Sequence, residues 1–280
     1  MTDVGVLLSQ AHRGVFGELT RAAEQHGYES VWLGEHLVIP ADPKGELESP
    51  GEDHSAISPE LPILDLCGVL CWLAAQTSRI RLGTCVYLLG LRHPFVSARA
   101  LATVDILSGG RAEVGCGVGW LRGEWEAVGA NFRSRARCLE ESIEVCRRLW
   151  AEPVIEHHGD FFSFPPVAFE PKPAQARLPI SIGGESEHAL RRAARIADGW
   201  IGMRHTPQTA AAKVATLRRL ERELGRTGPP VRVSVVGELT ADQSLPVWAD
   251  AGVDRLLVHP WQRTSRAVDG IIRLAGEHFR

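Results

Sequence analysis

Residues 178–200 read LPISIGGESEHALRRAARIADGW. A short apolar run, Leu178 to Ile182, empties into Gly183-Gly184, and a helical pattern starts at once, with Glu185 and Ser186 suiting its first turn. The next apolar run opens at Trp200, so the stretch reads as strand, helix, strand. Two glycines let the backbone come close to a ligand. The helix that follows points its free N–H groups and the positive end of its dipole at the same spot, which suits an anion such as a phosphate. A tight strand–helix connection with nothing bound would use the same residues, so the diglycine alone does not choose between the two.

The same alternation runs outward in both directions. Upstream, Val4 to Leu8 is a buried strand, followed by a helix from His12 to Gly27 with Gly27 as its C-cap, and by a strand from Ser30 to Leu33. A polar stretch with Pro and Gly, Pro40 to Pro62, is too long for a simple connection and reads as a lid or binding loop. Leu64 to Gln76 is helical, Ile80 to Tyr87 a strand, Phe95 to Leu107 a helix closed by Ser108-Gly109-Gly110, and Ala112 to Gly117 a strand. Helices follow at Glu124 to Gly129 and Arg135 to Trp150, then an excursion from His157 to Phe169 that can hold a hairpin. Downstream come Trp200 to Met203 (strand), Pro207 to Gly225 (helix), Val231 to Val236 (strand), Ser244 to Ala251 (helix), Arg255 to Val258 (strand) and a last helix from Thr264. The short apolar β-runs are those of a fully buried parallel sheet. Their number and the alternating helices favour a single (β/α)8 barrel domain over residues 1–280, with insertion loops, over an open doubly wound sheet. The first strand is not followed by Gly-x-Gly-x-x-Gly, which weighs further against an open dinucleotide-binding sheet.

Composition bounds the function. A net charge of −3 offers no basic field for nucleic acid. No apolar run reaches the roughly 18 residues of a membrane span, and the N-terminal MTDVGVLLSQ lacks the basic region and cleavage site of a signal peptide. The six cysteines fall within expected helices and strand ends, so they are read as reduced thiols of a cytoplasmic protein. Cys-x-x-Cys or His pairs at ligand spacing are missing, and no metal site is assigned.

Ligands of such barrels sit at the carboxyl ends of the strands. That rule selects Gly34-Glu35-His36 after the second strand, Thr84-Cys85-Val86 and Arg92-His93-Pro94 after the third, Gly115 to Trp120 after the fourth, and Gly183-Gly184. An acid, an imidazole, glycine-rich backbone and an anion cradle would then share one mouth.

Here the chain resembles the bacterial luciferase-like flavin and deazaflavin oxidoreductases. The matching stretches are YESVWLGEH (Tyr28 to His36), TSRIRLGTCV (Thr77 to Val86), RHP (Arg92 to Pro94), ATVDILSGGR (Ala102 to Arg111), VGCGVGWLRGEWEAVG (Val114 to Gly129) and PISIGGESEHALRRAARIADGW (Pro179 to Trp200). They look closest to the branch that uses the deazaflavin coenzyme F420. The resemblance implies an enzyme that moves hydride between F420 and a small organic substrate. An FMN-dependent monooxygenase fed by a separate reductase is the alternative, and a non-catalytic flavin-binding homologue a third reading. It further implies a non-prolyl cis peptide at Cys85–Val86 against the cofactor ring, with Thr84 and Gly117 beside it. The cofactor phosphate would rest on the Ile182, Gly183 and Gly184 backbone, and a homodimer is expected.

His36 is the expected catalytic residue, since an imidazole beside the ring can shuttle the proton that accompanies hydride movement. Glu35 is expected to orient His36 or bond the ring. Related sugar-phosphate dehydrogenases carry an acid where this chain has Val118; Glu124 could replace it, though a surface helix acid is the plainer reading. Trp120 and Trp125 line the pocket in one reading and pack the core in the other. Arg133, Arg135 and Arg137 either grip an acidic cofactor tail or are simply solvated. His157-His158 is read as an exposed turn.

Overall fold

The computed structural model describes residues 2–9, 11–42 and 58–279. Eight parallel strands close a barrel: β1 (Asp3–Leu7), β2 (Ser30–Leu33), β3 (Arg81–Thr84), β4 (Ala112–Cys116), β7 (Ile180–Gly183), β8 (Gly199–His205), β9 (Arg232–Gly237) and β10 (Arg255–Val258), with β10 pairing back onto β1. Between them run α1 (Phe16–Gln25), α2 (Leu66–Ala74), α3 (Pro94–Leu107), α4 (Arg122–Ala127), α5 (Arg135–Ala151), α6 (Glu187–Ile196), α7 (Pro207–Glu223) and α8 (Leu245–Asp250), and α9 (Ala267–His278) follows the last strand. The excursion after α5 is an antiparallel hairpin, β5 (Val154–His158) and β6 (Ser163–Ala168). The (β/α)8 architecture expected from the alternating pattern is therefore the one observed. Most of the Pro40 to Pro62 loop, residues 43–57, lies outside the described residues.

Helix boundaries follow local chemistry. α6 buries Ala189, Leu190, Ala193 and Ala194 while Glu187, Arg191 and Arg195 stay outside, and Ser186 caps it by accepting the Ala189 N–H at 3.2 Å. The expected first turn thus begins two residues later than Glu185. The Arg92-His93-Pro94 motif is a helix start: His93 accepts the Phe95 N–H at 3.3 Å and Pro94 opens α3. Burial holds the His93 imidazole below its ordinary range.

Alternate strand residues point into the barrel. Leu7, Trp32, Ile201 and Leu257 form an inner cluster, with Cys85, Val86 and Val236 against it. Trp32 fits because Gly83 lies against its ring, where a Cβ would stand 2.3 Å from the indole, and its Nε1 donates to Ser30 Oγ at 2.7 Å.

Below that layer, at the amino ends of the strands, sits a charge network that the sequence did not announce. Arg255, 1% exposed, donates to both oxygens of Glu113 at 2.7 and 2.8 Å and to both of Glu29 at 2.6 and 2.8 Å. Its guanidinium stacks 5.0 Å from the Trp32 ring. Arg81, on the adjoining β3, and Arg232, on β9 beside β10, also close on Glu113. Burial alone would raise the Glu113 carboxyl, but Arg255, Arg81 and Arg232 hold it below its usual range.

Candidate active site

The strand carboxyl ends gather the expected residues. Gly34 follows β2 and sits against the Cys85 carbonyl, which a Cβ would approach to 2.7 Å. The Cys85–Val86 peptide bond is cis. Val86 is wedged between two later strands: a Cβ on Gly117 would stand 2.5 Å from one Val86 methyl and a Cβ on Gly183 2.9 Å from the other. Glycine at both positions is what lets the Val86 side chain enter the rim.

His36 is oriented by a residue from α4. Its Nδ1 lies 3.0 Å from Glu124 Oε2, and Glu124 Oε1 accepts the Leu37 N–H at 2.5 Å. Glu124 is fully buried, so its reading as a surface helix acid is corrected. The sequence misled because α4 is short, and which of its faces turns inward is set by Trp125. That indole is 1% exposed, packs with Leu88, Leu91 and Phe132, and donates to the Val118 carbonyl at 3.1 Å. Trp125 is thus a core residue, whereas Trp120 meets the His36 ring edge-on, centroids 5.6 Å apart at 87°.

Glu35 does not reach His36 through any of its bonds. Its carboxylate takes two hydrogen bonds from Arg92, at 2.9 and 2.8 Å, and one from the Leu88 N–H at 2.8 Å. It therefore fixes the turn after β3, and the expectation that it orients His36 is corrected in favour of Glu124. Thr84 is equally committed: its hydroxyl donates to the Gly115 carbonyl and accepts the Gly115 N–H, both at 2.8 Å, stitching β3 to β4. The Ile182 side chain packs into the outer core, so only its main chain faces the rim.

At the diglycine corner Gly184 adopts φ +130°, a conformation that favours glycine, and its carbonyl accepts the Trp200 indole N–H at 2.9 Å. Glu185 turns away to accept the Met203 N–H at 2.7 Å and to meet His205 Nε2 at 3.1 Å and Lys213 Nζ at 3.6 Å. Burial pushes its carboxyl upward, but the His205 and Met203 hydrogen bonds, with Lys213, hold it below its usual range. Its charge is thereby matched beside the start of α6, where an anion would sit. The corner fits a phosphate on its main chain: glycine allows close backbone approach, and Glu187 and His188 open α6 ahead of the Ala189 N–H that Ser186 caps.

Other expectations fall elsewhere. Arg137 pairs with Asp160, and Arg135 stacks on Phe132 with 3.8 Å to the ring centroid. His157 lies in β5 rather than in an exposed turn; it is buried and bonded to Glu141 at 3.2 Å, while His158 is exposed. A charged groove of about 850 Å3 between α5 and the hairpin is lined by Glu141, Arg147 and Arg148 but by none of the rim residues. Among the described residues, no group of three or more His, Cys, Asp or Glu is placed to hold a metal ion, and no helix is long and apolar enough to cross a membrane.

The cysteine on the rim is not poised as a nucleophile. Burial pushes the Cys85 thiol up to about 12, and those of Cys67 and Cys116 likewise to about 12. Iodoacetamide at mildly alkaline pH is expected to leave Cys85 and Cys116 unmodified in the native protein and to label all six cysteines after denaturation. Mass spectrometry of the peptides reads this, and rapid native labelling of Cys85 would contradict it.

The family model for luciferase-like monooxygenases matches residues 4–258, and the chain belongs to that family. An uncharacterized protein of Mycobacterium tuberculosis is 33% identical over 257 residues, 90% of each chain. The F420-dependent glucose-6-phosphate dehydrogenase of Kineococcus radiotolerans is 30% identical over 192 residues, 67% of this chain and 52% of that one. Among solved structures, an F420-dependent secondary alcohol dehydrogenase in complex with an F420-acetone adduct superposes with a TM-score of 0.78 over 98% of both chains, at 16% identity, a likeness of fold.

Proposed function

We propose that this chain transfers hydride between coenzyme F420 and a small organic substrate at the carboxyl-end mouth of the barrel. The observation that carries the reading is the meeting of three elements on one rim: His36, the Val86 wedge framed by Gly117 and Gly183, and the diglycine corner that opens α6. The likeness to an F420-dependent dehydrogenase over two thirds of the chain supports the choice of cofactor.

In this reading the Ile182, Gly183 and Gly184 main chain holds the cofactor phosphate, and the Thr84, Cys85, Val86 and Gly117 backbone backs its ring. Bound F420 would supply a two-electron hydride carrier that reacts poorly with oxygen. His36 takes or returns the proton that accompanies the hydride. Val118 puts an apolar side chain where the sugar-phosphate branch has an acid, which favours a substrate other than a sugar phosphate.

Titrating the apoprotein with F420 and, separately, with FMN, each followed by fluorescence quenching, tests the reading. Saturable F420 binding that is tighter than FMN binding is expected. A preference for FMN would favour the second reading, a flavin-dependent monooxygenase, which the family description itself supports. Binding of neither would overturn both.

A further inference from the structure

We propose that Glu124 is the positioning residue of this site: it fixes the neutral His36 ring as the Nδ1–H tautomer and so leaves Nε2 as the nitrogen that exchanges a proton with substrate. The inference rests on the reading of His36 as the proton-handling group, and it assigns that proton to one atom.

Glu124 has two oxygens, both buried: Oε1 accepts the Leu37 N–H at 2.5 Å, and Oε2 lies 3.0 Å from His36 Nδ1. The main-chain bond to Leu37 ties the carboxylate to the residue that follows His36, so the carboxylate is held in register with the ring it orients. An ionised carboxylate can only accept. Nδ1 must therefore carry hydrogen, and the lone pair of the neutral ring falls on Nε2. The edge-on contact with Trp120 restrains ring rotation. Bound F420 would accept the hydride that the substrate C–H bond gives up, and the proton from the substrate O–H or N–H would bond to Nε2. The imidazolium then faces the buried negative charge of Glu124; in the reverse direction Nε2 returns the proton. Glu124 acts only through His36. This distinguishes it from the direct proton donor that the sugar-phosphate branch has at the position of Val118.

Glu124→Gln is the sharp test because the amide has the same shape but only one acceptor. With its oxygen kept by the Leu37 N–H, its NH2 faces Nδ1, and the ring must move its hydrogen to Nε2. 15N spectra of histidine-labelled apoprotein read the tautomer directly, with His36→Asn used for assignment and the pH high enough for neutral rings. Nδ1–H in the unmodified protein and Nε2–H in Glu124→Gln are expected. A merely structural Glu124 would leave the tautomer unmoved. Nε2–H in the unmodified protein, or the same tautomer in both, would overturn the proposal. If Glu124→Gln does not fold, the spectrum of the unmodified chain still decides. The apoprotein spectra are independent of F420, so failure of cofactor binding and failure of this assignment are separate results.

Discussion

Replacing His36 by Asn is expected to lower turnover with F420 by about 10²- to 10⁴-fold, the usual contribution of a positioned acid–base group, while F420 still binds. Asn is the better probe than Ala for a structural reason. Glu124 is fully buried and gives Oε2 to the ring, so Ala would leave that oxygen without a donor, a loss of about 1–3 kcal/mol that confuses stability with chemistry. The Asn amide can still donate to Glu124 but cannot take a proton at neutral pH. Steady-state F420 oxidation or reduction, set beside the fluorescence titration, separates the two effects. Turnover equal to that of the unmodified enzyme would remove His36 from the mechanism.

Arg255→Ala is expected to cost about 3 kcal/mol, the low end for a broken buried ion pair, because Glu113 loses its doubly bonded partner and keeps only Arg81 and Arg232. Arg255 makes four hydrogen bonds to Glu113 and Glu29 and stacks on Trp32, so one truncation removes the shared partner of two acids and support beneath the inner cluster. A fall in Tm on the order of 10 °C follows for a chain of this size. The network also predicts the sign of the acid response. The folded Glu113 carboxyl is held below its unfolded value, so its stabilisation is fully present above the ordinary carboxylate range. It is lost as pH falls through the lower, folded value. Scanning calorimetry of both proteins from neutral pH downward should show a weaker acid dependence in the Arg255→Ala protein, with Arg81 and Arg232 keeping the remainder. Equal melting temperatures at neutral pH would refute the assignment.

These two sites differ in how much of them the sequence disclosed. His36 was visible because it follows a strand end, a place where a barrel keeps its chemistry. Its partner was not. Glu124 lies 88 residues away on a six-residue helix, and nothing in Arg-Gly-Glu-Trp-Glu-Ala says which carboxylate turns inward until Trp125 has found its core. Glu35 shows the converse. Adjacency to His36 suggested cooperation, yet one bidentate pair with Arg92 ties it to the turn after β3 instead. Arg81, Glu113, Arg232 and Arg255 carry no sequence motif that sets them apart. Only closure of the barrel brings these residues to one end, where they share hydrogen bonds.

By itself the sequence determined what is local and periodic: the alternation of short apolar runs with amphipathic helices and the turn at Gly183-Gly184. Each of these is decided within a few residues by backbone freedom and by the side-chain period of a strand or helix. The tertiary structure alone decided which charge meets which. A buried carboxylate can accept from any donor that comes within about 3 Å, and the donor that does so is chosen by the ring closure of eight strands rather than by chain neighbours.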